Sequence, residues 1–309
     1  MSNWTICFVT NRQICGMDWF ADALCRQCPD GNFPQVIIVD SVSWRLDPEM
    51  RKIEWANAVK GRFEYTLTTP KPTVWQGPHR LTTQDYFAPS NARNTGILLC
   101  KTSYLYFIDD VSVMLPGFLD NVRHAAQHGY IMGGSYKKVF ELKVRNGLIE
   151  SCREHAGGVD SRWSRGSDSG IVPLNGGSLF GCSCGFPIEA LLQVGGYDEM
   201  CDSQGAEDYS LGIALEKHGY KLFYNRNACT YESEELHGQL PVMKRIIKPG
   251  NPDASHVHLN RLLADPRPVA NTKYFNIREL RQKILAGEPF PIPTEPSRHW
   301  FDSEPLALM

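Results

Sequence analysis

The run Tyr104-Leu105-Tyr106-Phe107-Ile108 is closed by two carboxylates, Asp109-Asp110. Five aromatic or aliphatic residues without a break read as a strand buried on both faces, the pattern of a parallel strand covered by helices. The flanking sequence repeats that pattern. Residues 5–10 and 35–40 are short β-branched or aliphatic runs. Between them, residues 18–28 place Trp19, Leu24 and Cys28 within helical reach before Pro29-Asp30-Gly31 breaks the segment. That order makes one right-handed β-α-β unit. A further strand is expected over 63–68, a helix over 91–100 with Ser90 as its N-cap, and another helix over 116–128. The class is therefore α/β. Asp109 and Asp110 fall at the carboxyl end of a sheet strand, where open α/β sheets bind ligands.

Beyond residue 134 the character changes. Charged segments over 137–144 and 148–154 predict a hairpin, and the Gly/Ser-rich run 157–170 predicts a mobile loop. Helical pattern returns over 187–194 and 206–218, separated by Gly195-Gly196-Tyr197-Asp198-Glu199. After Tyr224 the chain is irregular and proline-rich, with one helix over 277–286. Residues 1–235 read as the main domain and 236–309 as a C-terminal extension wrapping it.

With 309 residues, 42% of them hydrophobic and 21% charged, the chain can bury an enzyme-sized core. A net charge of −2 gives no general attraction to nucleic acid or to an acidic membrane, so any phosphate binding must be local. The chain shows no secretion leader and no apolar run of roughly 18 to 20 residues, which predicts a soluble, cytoplasmic protein without a transmembrane segment. The 10 cysteines are scattered, many inside apolar runs, and read as reduced, mostly buried thiols. Two closer pairs, Cys25 with Cys28 and Cys182 with Cys184, belong to different segments. A tetrahedral zinc site needs such pairs brought together.

Paired carboxylates at a strand end suit a hard divalent cation, which prefers carboxylate oxygens and keeps positions open for phosphate. A second acidic pair, Glu207-Asp208, opens a helix whose face continues through Leu211, Ala214 and Leu215. Acids in a first turn favour the helix dipole by themselves. Here a Gly-rich turn precedes them, and a carboxylate so placed can accept the proton of an attacking hydroxyl.

Six motifs follow one another: Val9-Thr10-Asn11-Arg12, Val39-Asp40-Ser41, Asn91-Ala92-Arg93-Asn94-Thr95-Gly96, Ile108-Asp109-Asp110, Gly195-Gly196-Tyr197-Asp198-Glu199 and Glu207-Asp208-Tyr209-Ser210-Leu211. In that order, from residue 5 to about 232, the chain resembles family 2 glycosyltransferases of the GT-A fold. The resemblance implies a Rossmann-like nucleotide-binding sheet with flanking helices, a small antiparallel portion and an irregular C-terminal tail. It implies transfer, with inversion, of a sugar from a nucleotide diphosphate sugar, UDP-linked, to a hydroxyl of a carbohydrate or glycoconjugate acceptor. Thr10 and Arg12 would lie near the base, Asp40 near the uracil or ribose, and Arg93 near the diphosphate or donor sugar. Asp110, with Asp109, would bind ribose and a divalent metal, Mn2+ or Mg2+. Asp208 would be the general base and Glu207 would position substrate.

The chain departs from that pattern in two places. Val111 stands where many relatives carry a further acid, and Thr230-Tyr231-Glu232 stands where relatives frequently carry a histidine. Glu232, His237, His256 and His258 are the candidate substitutes as metal ligands. His256 and His258 alternate within an apolar stretch, so one face can present both imidazoles. Trp163 is a candidate to stack on an acceptor sugar, or else a packing anchor, and Trp300-Phe301-Asp302 reads as a hydrophobic latch for the tail.

Two other functions compete. A sugar-nucleotide-forming nucleotidyltransferase usually carries a Gly-rich phosphate loop after its first strand, whereas residues 9–16 hold a single glycine. A non-catalytic carbohydrate-binding relative is kept open by Val111.

Overall fold

A computed structural model describes residues 3–44, 46–73, 76–80, 87–166, 170–202, 206–238 and 276–292. The chain begins with β1 (Trp4–Thr10), α1 (Met17–Gln27), β2 (Gln35–Asp40), α2 (Pro48–Val59) and β3 (Thr66–Thr68). It continues with α3 (Pro89–Leu99), β4 (Tyr104–Asp109), β5 (Ser112–Met114), α4 (Phe118–His128), β6 (Ile131–Arg145) and β7 (Leu148–Val159). After β8 (Ile171–Leu174) and β9 (Ser183–Pro187) come α5 (Ile188–Val194), α6 (Glu207–Lys217), β10 (Leu222–Ser233), α7 (Glu234–His237) and α8 (Ile277–Leu285).

The sheet order is β3-β2-β1-β4-β9-β6-β10-β5, with β7 paired to β6 and β8 to β10. The first four strands are parallel, and β9 runs antiparallel between β4 and β6. This is the expected α/β sheet, with flanking helices and a smaller antiparallel portion. Alternate residues of each central strand enter different cores. Cys7, Val9, Ile37, Val39, Leu105 and Phe107 pack on one face with residues of α3, α5 and α6. Ile6, Phe8, Ile38, Tyr104, Tyr106 and Ile108 pack on the other with residues of α1, α2 and α4. Two covered faces are why these strands read as unbroken apolar runs. Gly96 lets α3 lie close to the sheet: a Cβ there would stand 2.6 Å from Cys7 Sγ.

The structure corrects several local expectations. Helix α2 carries no clear apolar period because it buries Arg51 beside Trp55, although Asp47 caps it and Pro48 opens it. Helix α3 starts at Pro89, so Ser90 is not its N-cap. The Asp202 carboxylate, from a distant segment, instead accepts the backbone N–H groups of Ser90 and Asn91 at 2.8 and 3.2 Å. The run 157–170 is not one loose loop. Strand β7 extends to Val159, and buried Arg162 pairs with Asp160 at 2.7 Å and lies over Phe180 and Tyr224.

Of the expected extension 236–309, α8 sets Ile277 into the core, and Arg281 donates to the Cys100 carbonyl at 2.5 Å. His256, His258 and the Trp300-Phe301-Asp302 cluster lie outside the described residues. All ten cysteines are free. Among the described residues, no helix is long and apolar enough to cross a membrane.

Candidate functional site

The carboxyl ends of β1, β2 and β4 meet on one edge of the sheet. At the end of β4 the chain turns so that Asp110 is buried while the Asp109 side chain stays about one third exposed. Thr10 Oγ1 donates to Asp110 Oδ2 at 2.6 Å, and the Arg12 guanidinium pairs with the other carboxylate oxygen. The Gly16 N–H donates to the Asp110 carbonyl at 2.7 Å. Asp110 thus clamps the loop after β1 to the tip of β4. Burial pushes its carboxyl up to about 6, against the pull of Arg12.

The same loop is held from beneath by a group that sequence reasoning missed. Arg51 pairs with Asp40 at 2.6 Å and donates to the carbonyls of Arg12 and Gln13, each at 3.0 Å. Trp55 Nε1 and the Val42 N–H also donate to Asp40, at 2.7 and 2.9 Å. Asp40 therefore has no exposed surface, and its oxygens are engaged by protein donors. It is the strut of the loop, and the sequence reading assigned Arg51 no element and no role.

Arg93, on α3, joins the two acidic pairs. It donates to Glu207 Oε1 at 2.8 Å, stands 3.8 Å from Asp109 and lies over the ring of Tyr197. Behind it, Glu199 is fixed by Lys71 at 2.8 Å and Asn94 at 2.8 Å, so the turn 195–199 braces α3. The Asp208 carboxylate accepts the N–H groups of Gly181 at 3.0 Å and Tyr209 at 2.8 Å. Among the described residues it makes no ion pair. Desolvation first, and then the Glu207 charge, push it up to about 6. Half-buried Phe180 and Tyr209 stand edge-to-face, centroids 6.0 Å apart, where Asp208 meets Gly181. The sequence reading gave neither ring a role, although Phe180 adjoins Gly181 and Tyr209 itself donates its N–H to Asp208.

Glu232 is buried and, among the described residues, its Oε1 has no hydrogen-bond partner. Burial, then the nearby Asp109 charge, push this carboxyl up to about 8. An orphaned carboxylate oxygen next to a solvent-reaching aspartate is the donor chemistry a hard cation takes. Asp110, committed to Thr10 and Arg12, is less available than its neighbour. Val111 is buried and apolar, so nothing replaces the missing acid there. Among the described residues, no group of three or more His, Cys, Asp or Glu could hold a metal ion. His237 is exposed.

Trp163 is not brought to these acids. It lies in a separate surface pocket with Lys137, Arg226 and Tyr231.

Fold and site define an α/β protein that gathers carboxylates and arginines at the carboxyl edge of its sheet. No protein family and no curated protein sequence matches the chain. Among solved structures, S. aureus TarS 1-349 in complex with UDP-GlcNAc is similar at a TM-score of 0.49 and 11% identity, over 85% of this chain and 70% of that one. The mannosyltransferase PcManGT from Pyrobaculum calidifontis, in complex with GDP-Man and Mn2+, is similar at 0.45 and 15%, over 79% of this chain and 58% of that one. Likeness at this level carries nothing about substrates or residue roles.

Proposed function

We propose that the chain is a glycosyltransferase that moves a sugar from a nucleotide diphosphate sugar, UDP-linked, to a carbohydrate hydroxyl in a single inverting displacement. One observation carries this reading. Asp208 is a carboxylate oriented by two backbone amides, free of any ion pair among the described residues, and joined to Asp109 through Glu207 and Arg93. An inverting transfer needs one proton acceptor and a stabilised leaving group, with no enzyme nucleophile.

Asp208 takes the proton of the acceptor hydroxyl, with Phe180 and Tyr209 offering ring faces to the acceptor. Arg93, which Tyr197 and the acids Glu207 and Asp109 keep charged against the pull of its burial, faces the departing diphosphate. Thr10, Arg12, Asp40 and Asp110 shape the loop that receives the nucleotide. Asp109 and Glu232 would hold a divalent cation, and such a cation neutralises charge developing on a leaving diphosphate. Because Glu232 is protonated near neutral pH, cation binding displaces its proton and tightens as pH rises.

The test is release of free nucleotide diphosphate from a panel of sugar donors, with and without Mn2+. Asp208→Asn is expected to bind donor as the parent does while transfer falls by about 10²-fold or more. Full turnover in that variant removes Asp208 from the mechanism. Donor binding without release in the parent chain would favour the non-catalytic carbohydrate-binding reading.

A further inference from the structure

Strands β6 and β10 run parallel with Lys137 opposite Tyr231 and Lys138 opposite Glu232. Successive strand residues point to opposite faces. Lys137 and Tyr231 therefore project away from the face that carries Glu232. On that outer face Trp163, from the short turn Trp163–Arg165, stands with its ring centroid 4.6 Å from Lys137 Nζ, which is itself 5.7 Å from the Tyr231 ring.

A second cation reaches the indole through a defect in the sheet. The β10 register slips between Asn225 and Cys229, although their partners on β6, Gly134 and Ser135, are consecutive. Ser135 Oγ donates to the Arg226 carbonyl at 2.6 Å, and the Asn227 N–H donates to Asn225 Oδ1 at 2.9 Å. Asn225 in turn donates to Asn121 Oδ1 at 2.9 Å. The bulge is thus a bonded structure, and it sets the Arg226 guanidinium 5.3 Å from the Trp163 centroid. Bulges of this kind re-aim side chains. Trp163, Lys137, Tyr231 and Arg226 line a pocket of about 360 Å³ whose lining, among the described residues, includes no carboxylate. The chain as a whole carries a net charge of −2, so the positive charge is local.

We propose that this pocket binds an anionic saccharide, a sugar ring carrying a carboxylate or phosphate, at a subsite remote from Asp208. Trp163 and Tyr231 supply apolar ring faces for the sugar, and Lys137 supplies a charge-assisted donor for its anionic group. The volume suits about one sugar unit. On the transferase reading the subsite grips a distal unit of a long acceptor. It lowers KM for long anionic acceptors and leaves short ones untouched.

The test uses the full chain, calorimetric titration and four probes: a uronic acid tetrasaccharide, a neutral tetrasaccharide of equal length, a hexose phosphate and inorganic phosphate. At least one of the two anionic sugars is expected to bind, and which one names the anionic group. The neutral sugar and inorganic phosphate are expected to bind at least about fivefold more weakly. Lys137→Gln and Trp163→Leu are each expected to weaken the anionic sugar by about fivefold or more. Thermal unfolding of both variants checks that they fold. Equal binding of neutral and anionic sugars, equal binding of inorganic phosphate, no binding of either anionic sugar, or indifference to both substitutions would overturn the proposal. Nucleotide sugars titrated into the same samples keep the readings apart. If anionic sugar binds and nucleotide sugar does not, the subsite stands and the transferase reading falls.

Discussion

Asp110 and Asp208 are both pushed up to about 6 chiefly by desolvation, yet they are held by opposite means. Asp110 has a guanidinium and a hydroxyl on its oxygens. Asp208 has two backbone amides, and the nearest charge that raises it is another acid, Glu207. With Arg12 in contact, Asp110 is the ionised half of a buried pair and fixes a loop. Asp208 keeps its affinity for a proton and, among the described residues, makes no ion pair, with Arg93 acting on it only from beyond contact. Similar titration therefore accompanies different work, and the partners separate a structural acid from a candidate base.

The sharpest way to break that contrast is to neutralise each acid in turn. Asp110→Asn leaves the Arg12 charge buried without its partner and is expected to cost about 3–5 kcal/mol of stability. Asp208→Asn forfeits one amide hydrogen bond, about 1 kcal/mol. Urea unfolding midpoints of the two variants give the comparison directly. Equal losses would mean that Asp110 is not the clamp of its loop.

The contrast also explains what could be read from the chain. Strands β1, β2 and β4 were legible because each feeds two cores and so shows an unbroken apolar run. Helix α2 was not, since Arg51 occupies a buried position that a periodicity argument assigns to an apolar residue. The two acidic pairs were legible as a strand end and a helix start, and the structure places them there. Their pattern could not reveal that the second acid of Asp109-Asp110 turns inward to Arg12 while the first stays outside, because burial of adjacent residues past a strand end depends on the turn that follows. Trp163 was read as a ring for an acceptor sugar or else a packing anchor, and its neighbours depend on the register of β6 with β10, which no local pattern encodes. Phe180 and Tyr209 meet only in three dimensions.

Glu232 extends the comparison to a third acid, one with an oxygen unpartnered among the described residues. Its carboxyl is pushed from an ordinary 4.5 to about 8, so the folded chain binds a proton that the unfolded chain releases. Stability from this group is fully present below pH 4.5 and is lost as pH rises through 8. Between pH 6 and 8 the parent chain is expected to lose roughly 2 kcal/mol relative to Glu232→Gln, which has no proton to give up. Added Mn2+ should reverse part of the loss in the parent and none in the variant. Parallel stability curves for the two proteins would show that Glu232 titrates normally and has no place beside Asp109.

The smallest effect concerns the tuning of Asp208 itself. Its upward shift comes first from desolvation and next from Glu207, with Arg93 pulling it down. Glu207→Gln removes the repulsive charge and also leaves Arg93, which had been paired to Glu207 at 2.8 Å, with its full attraction for the remaining carboxylate. Both changes act in one direction. The acidic limb of the transfer rate, set in the parent by loss of the base below about pH 6, is expected to move to lower pH by less than about one unit. A purely structural role for Glu207 would lower the rate at every pH without displacing the limb. Movement of the limb to higher pH would mean that Glu207 holds Arg93 in the place where it stabilises ionised Asp208, and that the two acids act through the arginine instead of on each other.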